Sequence, residues 1–323
     1  VIHTGAGNFS LADYTAGEVA ERHRAMEEAL RAGHRVLADG GDALDAVQAA
    51  INVLEDSPLF NAGRGAVFTH EGTHELDAAI MDGRTRNAGA VAGVKHVRNP
   101  IDLARLVMER SPHVMLAGEG AEAFAKEQGG ITFVDQDYFY TERRWRSLQR
   151  ALGRPGGGEQ AGASYDDGGA RGEPAWKFGT VGAVALDRHG NLAAGTSTGG
   201  MTNKRFGRIG DAPIIGAGTF ADNQSCAVSA TGHGEFFIRW TVAADICARV
   251  RYQGATLSDA ADAVINGVLR EVGGDGGVIA MDRHGNVAMP FNTTGMGRGY
   301  MGPDGVAVLM LTHEDARPLP TGR

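Results

Sequence analysis

Phe178-Gly179-Thr180-Val181-Gly182-Ala183-Val184-Ala185-Leu186-Asp187 is the stretch on which the reading of the chain turns. A glycine-rich run at 153–174 precedes it, inside a linker of about 153–177. An apolar strand-like run follows, then a turn from Asp187 to Asn191 and a second strand ending in Thr196-Ser197-Thr198-Gly199-Gly200. A threonine that opens a buried strand directly after a dispensable linker can become an N-terminal residue. Cleavage of Gly179–Thr180 would put a hydroxyl nucleophile and an α-amine on one residue. A free α-amine titrates near ~8 and a lysine near ~10.4. Part of that amine is therefore neutral at neutral pH and able to take the hydroxyl proton. The pairing is a recognised nucleophile–base variant. Taken alone, the stretch also fits a plainer alternative, a β-branched residue that merely begins a strand.

A chain of 323 residues suits one large domain or two ordinary ones, and 42% hydrophobic content supports a sizeable core. Its 49 glycines cluster at turns and in the linker without a period. A net charge of −8, with no Lys/Arg run, argues against a nucleic-acid surface. No apolar run approaches the ~18 residues of a membrane span, and Val1-Ile2-His3 does not read as a signal peptide. The expected location is cytoplasmic. Cys226 and Cys247 lie in apolar surroundings, which reads as reduced thiols in place of a disulfide framework.

Periodicity predicts a strand over 1–8, helices over 16–37 and 43–54, and antiparallel strands over 66–94 with turns at Glu71-Gly72 and Asp82-Gly83. Further helices are expected at 99–110, 119–127 and 141–152. Beyond the linker, 184–192 is echoed by 279–287, each with the turn Asp-Arg-His-Gly-Asn. Strands near 213–217 and 226–230 precede helices at 237–252 and 257–272. Such segregation predicts an α+β, four-layer αββα sandwich, two antiparallel sheets with helices on the outer faces.

His70-Glu71-Gly72-Thr73-His74 spells H-E-x-x-H, so a zinc metallopeptidase is a rival. That motif works on a helix, where i and i+4 share a face. Glycine within a helix costs about 1 kcal/mol, and the flanks alternate like strands. His189 and His284 read as exposed turn residues, and Asp166-Asp167 as a solvated acidic patch in the linker. A more coherent set surrounds Thr180. Thr198 ends the neighbouring strand, so its hydroxyl falls beside that of Thr180. Arg205, Arg208 and Asp211 share a glycine-punctuated loop, and an Arg–Asp couple reads the carboxylate and ammonium of an amino acid. Thr231-Gly232-His233-Gly234-Glu235 follows a buried strand, with backbone N–H groups placed to approach a reacting carbonyl.

With these residues in hand, the chain resembles the plant-type L-asparaginase / isoaspartyl peptidase family of N-terminal-nucleophile (Ntn) hydrolases over nearly its whole length. The resemblance is carried by His3-Thr4-Gly5-Ala6-Gly7, Pro58-Leu59-Phe60-Asn61-Ala62-Gly63, Leu76-Asp77-Ala78-Ala79-Ile80-Met81-Asp82, Gly179 to Asp187, Thr196 to Lys204, Gly207-Arg208-Ile209-Gly210-Asp211, Thr231 to Glu235 and Pro290-Phe291-Asn292-Thr293. Thr4 stands where a second glycine is common. The resemblance implies self-cleavage before Thr180 into an α fragment (1–179) and a β fragment (180–323) that form one structural domain. It also implies a heterotetramer of two cleaved protomers, acting on β-aspartyl dipeptides and the side-chain amide of L-asparagine.

Carried over by position, Thr180 is the nucleophile and Thr198 its hydroxyl neighbour. Arg208 grips the substrate carboxylate, and Asp211 and the Gly234 carbonyl hold the ammonium. The Thr231 hydroxyl and Gly232 N–H form the oxyanion hole, with Asn61 nearby. A structural sodium is implied on backbone carbonyls of Leu54, Glu55, Ser57, Phe60, Ala62 and Arg64, and catalysis needs no cofactor. The glycosylasparaginase branch, an alternative within the superfamily, shows Asp-Thr-Ile-Gly at the cleavage point, whereas this chain has Gly-Thr-Val-Gly. A silent amino-acid-binding protein is the alternative outside catalysis.

Overall fold

Central strands of this chain are buried on both faces because each is covered on both sides. The computed structural model describes residues 1–153 and 179–322, so the expected linker and its Asp166-Asp167 lie outside the described residues. The first part runs β1 (Ile2–Gly7), α1 (Ala16–Ala38), α2 (Ala43–Asp56), β2 (Leu76–Asp82), β3 (Ala88–Val94), α3 (Pro100–Arg110), β4 (Met115–Ala117), α4 (Gly118–Gln128) and α5 (Glu142–Leu152). The second runs β5 (Val181–Leu186), β6 (Leu192–Thr198), β7 (Thr219–Ala221), β8 (Cys226–Gly232), α6 (Gly234–Arg239), α7 (Val242–Gln253) and α8 (Leu257–Asp262). It closes with β9 (Gly276–Asp282), β10 (Val287–Ala288), β11 (Gly295–Met301) and β12 (Ala307–Thr312).

The larger sheet has the order β12-β11-β1-β5-β6-β2-β3-β4 and the smaller β10-β9-β8-β7. Ladders within them are antiparallel except β3–β4, which is parallel. Met26, Val47, Ile51 and Leu54 of α1 and α2 pack on the outer face of the larger sheet, together with Ile101 and Leu103 of α3. Val184 and Ala194 face Val228 and Ile279 across the gap between sheets, and Ile246 and Val264 cover the far side. Four layers result, with β5 near the centre of the larger sheet.

The echoed hairpins fold alike. Asp187 Oδ1 accepts from His189 N–H (2.8 Å) and Asn191 N–H (2.9 Å). Asp282 Oδ1 accepts from His284 N–H (2.8 Å) and Asn286 N–H (3.0 Å). Gly190 and Gly285 take φ of 79° and 83°, and both histidines are exposed at the tips.

Five expectations are corrected. Cys226 and Cys247 form a disulfide, with Cα atoms 5.3 Å apart. They are distant in sequence, but the packing of α7 on β8 brings them together in the core. Residues 66–69 are not a strand beside β2, because Val67 N–H is held by Asn61 Oδ1 (2.9 Å) and Thr69 closes its own turn on Thr73 (2.8 Å). Residues 213–217 form turns, with Ile214 N–H and Gly218 N–H both donating to the Asp211 carbonyl (2.9 and 3.1 Å). The helix over 237–252 breaks at Thr241, which adopts φ 45°, and the one over 257–272 passes into π-helical turns at Ala263–Leu269.

Candidate active site

Strand register sets the central corner. Val181 pairs with Ser197 and Gly182 with Thr196, so Thr180 falls opposite Thr198. Thr180 Oγ1 donates to Thr198 Oγ1 at 3.0 Å, and Thr198 Oγ1 also accepts from Gly200 N–H at 3.0 Å. Gly179 and Thr180 are consecutive in one continuous chain, so the Thr180 nitrogen is here a peptide nitrogen. The Gly179 carbonyl accepts from Asn61 N–H at 3.1 Å. Asn61 cannot drift, since its Nδ2 donates to the Gly200 carbonyl (2.7 Å) and its own carbonyl accepts from Gly199 N–H (3.1 Å). A Cβ on Gly179 would lie 2.5 Å from Asn61 Cβ, well inside the ~3.5–4.0 Å of an unstrained carbon contact. Glycine is therefore required at that position by space.

Behind the corner, a buried polar chain ties the sheets together. His3 Nε2 meets Ser229 Oγ (2.9 Å), Ser229 Oγ meets Thr196 Oγ1 (2.7 Å), and Thr219 Oγ1 donates to Thr196 Oγ1 (2.7 Å). Burial lowers the His3 pKa to about 3, with the Thr180 backbone as the opposing influence, so the imidazole is neutral. Thr231, at the end of β8, accepts from Ala6 N–H through its hydroxyl at 3.3 Å.

The glycine loop after β6 delivers the charged groups. Arg208 Nε and Nη2 each donate to Glu235 at 3.0 Å, a forked contact that leaves the Nη1 edge of the guanidinium outside this pair. Burial would raise the Glu235 pKa, yet hydrogen bonds from His233 and Arg208 hold it well below the ordinary carboxylate range. Asp211 is buried, its Oδ2 has no hydrogen-bond partner among the described residues, and burial raises its pKa to about 7 against the pull of Arg208. Gly234 sits between them: a Cβ there would lie 2.8 Å from both Arg208 Nη2 and Asp211 Oδ1. A buried carboxylate with one oxygen unpartnered among the described residues, next to a guanidinium, is complementary to an ammonium beside a carboxylate.

The loop after α2 closes the other side. Gly63, at φ 48°, has no room for a Cβ against the Glu55 carbonyl, and Gly65 none against that of Phe60. Backbone carbonyls of Glu55, Pro58 and Phe60 lie against these two glycines. The Leu54 carbonyl accepts from Ser57 N–H (3.4 Å) and that of Ala62 from Gly65 N–H (3.2 Å), each keeping a lone pair. The Glu55 side chain turns inward and accepts from Ser197 Oγ (2.6 Å) and Ile101 N–H (3.1 Å), and burial raises its pKa to about 8.

The H-E-x-x-H stretch is a turn, not a helix. His70 Nδ1 meets Asn203 Oδ1 at 2.8 Å and its Nε2 meets Arg205 Nη2. His74 Nδ1 meets the Val67 carbonyl at 3.2 Å. Among the described residues, no group of three or more His, Cys, Asp or Glu is placed to hold a metal ion. Arg205 thus reaches His70.

Sequence reasoning missed several groups here. Asp77 is opposite Thr198 in the β2–β6 ladder and is fully buried, and burial raises its pKa. Lys204 is also buried, with its ammonium donating to the Glu75 carbonyl at 2.9 Å. Glu235, Asp77 and Lys204 all lie inside the quoted family segments, so the signal was present without a role attached.

Two threonine hydroxyls in contact and, on the loop that follows, a carboxylate–guanidinium couple are groups that a hydrolase of amide bonds in amino-acid substrates can use. The profile of the family described as Asparaginase matches residues 1–311. The isoaspartyl peptidase of Salmonella typhimurium is 52% identical over 303 residues, covering 93% of this chain and 95% of that protein. That of Escherichia coli is 51% identical, with 93% and 92% covered. The human isoaspartyl peptidase/L-asparaginase is 40% identical over 274 residues, with 85% and 84% covered. The chain belongs to the asparaginase family of hydrolases. Among the described residues, no helix is long and apolar enough to cross a membrane.

Proposed function

We propose that this chain is an autoprocessing threonine hydrolase that releases L-aspartate from β-aspartyl dipeptides and from the side-chain amide of L-asparagine. The observation that carries the reading is the Thr180–Thr198 hydroxyl contact (3.0 Å) next to a scissile carbonyl held on Asn61 N–H (3.1 Å). In maturation, Thr180 Oγ1 attacks the Gly179 carbonyl carbon, and the C–N bond breaks as the nitrogen takes the hydroxyl proton. Water then hydrolyses the resulting ester, leaving a Gly179 carboxylate and a free Thr180 amine. One water is consumed per bond cleaved.

In turnover, the neutral amine takes the Thr180 hydroxyl proton while Oγ1 attacks the substrate side-chain carbonyl. Thr198 steadies that oxygen through its own hydroxyl. The Thr231 hydroxyl and Gly232 N–H meet the developing oxyanion. Arg208 takes the α-carboxylate, and Asp211 with the Gly234 carbonyl takes the ammonium. Ammonia or the remaining amino acid leaves with the proton, and water frees aspartate from the ester on Thr180.

Sodium on the carbonyls of Leu54, Glu55, Ser57, Phe60, Ala62 and Arg64 would hold the loop that presents Asn61. The close approaches at Gly63 and Gly65 support that fit. Pairing of two processed protomers into a heterotetramer completes the reading, and light scattering on the purified protein tests it. The function is tested by measuring L-aspartate released from a β-aspartyl dipeptide and from L-asparagine. Wild type is expected to release it and Thr180→Ala to show none. Release by Thr180→Ala at the wild-type rate would defeat the proposal.

A further inference from the structure

Arg144, on α5, is 4% exposed and lies beside the bond that maturation would cut. Its Nε donates to the Gly65 carbonyl at 2.9 Å, and its Nη2 is 3.3 Å from where a Cβ on Gly179 would stand. No carboxylate pairs with it among the described residues. Burial depresses its pKa, and among the described residues the cations of Arg143 and Arg22 push it the same way. A buried cation without an anion is expensive, by several kcal/mol per ion even after relaxation. 

We propose that Arg144 is a charge-stabilising and positioning residue for self-cleavage: its guanidinium serves the negative charge that develops on the Gly179 carbonyl and the carboxylate that hydrolysis leaves on Gly179. The proposal rests on the autoprocessing reading above. The step is the one already balanced there, in which water adds across the Gly179–Thr180 bond, and Arg144 neither gives nor takes a proton. Two features divide the work. Asn61 N–H points at the scissile oxygen, and Arg144 supplies net charge to the same glycine while pinning Gly65, four residues from Asn61. An arginine suits this better than a lysine for its fork, one arm on Gly65 and one toward Gly179. After cleavage the substrate would meet Thr180, Arg208 and Asp211, not Arg144, so maturation and turnover separate.

The test is a time course of full-length chain made in cell-free translation, following loss of the intact band on a denaturing gel. Arg144→Met is expected to mature at least tenfold more slowly than wild type, and Arg144→Lys to recover part of the loss. Turnover per exposed Thr180 amine, counted by N-terminal labelling, should stay within about twofold of wild type in the processed fraction, which general misfolding would not allow. Should Arg144→Met fail a thermal-melt check, Arg144→Gln replaces it, retaining a donor for Gly65 without the charge. Maturation of a folded Met or Gln variant at the wild-type rate overturns the proposal, as does a Lys variant no faster than Gln. If wild type itself does not split at Gly179–Thr180, the autoprocessing reading falls instead.

Discussion

Lowering the pH through about 7 should release the ammonium of a bound amino acid from this site. Asp211 is buried, its Oδ2 has no hydrogen-bond partner among the described residues, and its pKa is raised to about 7. The ionised form is the one that holds an ammonium, so the competent state is populated above about pH 7 and lost below it. One unit under the pKa, roughly a tenth of the carboxyl is ionised. Affinity for L-aspartate should then fall about tenfold between pH 8 and 6, or ~1.4 kcal/mol, and about tenfold more by pH 5. The ligand's own carboxylates and ammonium keep their charge across that range, so the change reports the protein. Binding should also expel close to one proton at pH 6, because the ammonium drives Asp211 to ionise. Isothermal calorimetry on the processed protein, in two buffers of different ionisation enthalpy, measures both quantities. Asp211→Asn should bind weakly and with no pH dependence over the same range. A wild-type affinity that is level from pH 8 to 5.5, with no proton release, would refute the assignment of Asp211 to the ammonium.

Arg208→Ala should weaken L-aspartate binding by about a hundredfold, from charge-assisted hydrogen bonds worth about 1.5–3 kcal/mol each, and move the Asp211 midpoint upward because a lowering cation is gone; calorimetry at several pH values reads both. Thr198→Val leaves the Gly200 N–H without its acceptor and Thr180 Oγ1 without its partner. It should lower kcat by about tenfold or more, as one lost buried partner costs about 1–3 kcal/mol, with KM within about threefold in steady-state assays. Glu55 has its pKa raised to about 8 in the fold. Both states keep the proton at low pH, and as pH rises the unfolded chain releases it first, so folding stability drains away on the approach to pH 8. Glu55→Gln does not titrate, and its melting temperature should gain on wild type steadily from pH 5 to pH 8.

The hairpin that begins at Thr180 was legible because a β-strand pattern, a Gly-Asn turn and a second strand are local features, and local features are what sequence periodicity records. The same holds for the echo at Asp282 and for the capped helices. Pairing of Thr180 with Thr198 followed from that hairpin alone. Contacts made by distant segments were not legible. The disulfide depends on α7 lying over β8, which neither cysteine's surroundings announce. Residues around Pro213 look like a strand by composition, yet their backbone is spent on the Asp211 carbonyl, which fixes the carboxylate in place. Arg144 is part of a helix whose pattern says only that one face is buried. Its position beside Gly179 comes from the fold, and no spacing in the sequence encodes it. Glu235 stood in a recognised segment, but its forked bond to Arg208 appears only once α6 meets the glycine loop.

Every step from Thr180 onward assumes that its nitrogen becomes a free amine. N-terminal sequencing of purified, active protein tests that directly. The account predicts two sequences in equal yield, one of them reading Thr-Val-Gly-Ala-Val from residue 180, and only one sequence from Thr180→Ala. Active protein that yields no sequence beginning at Thr180 would contradict it.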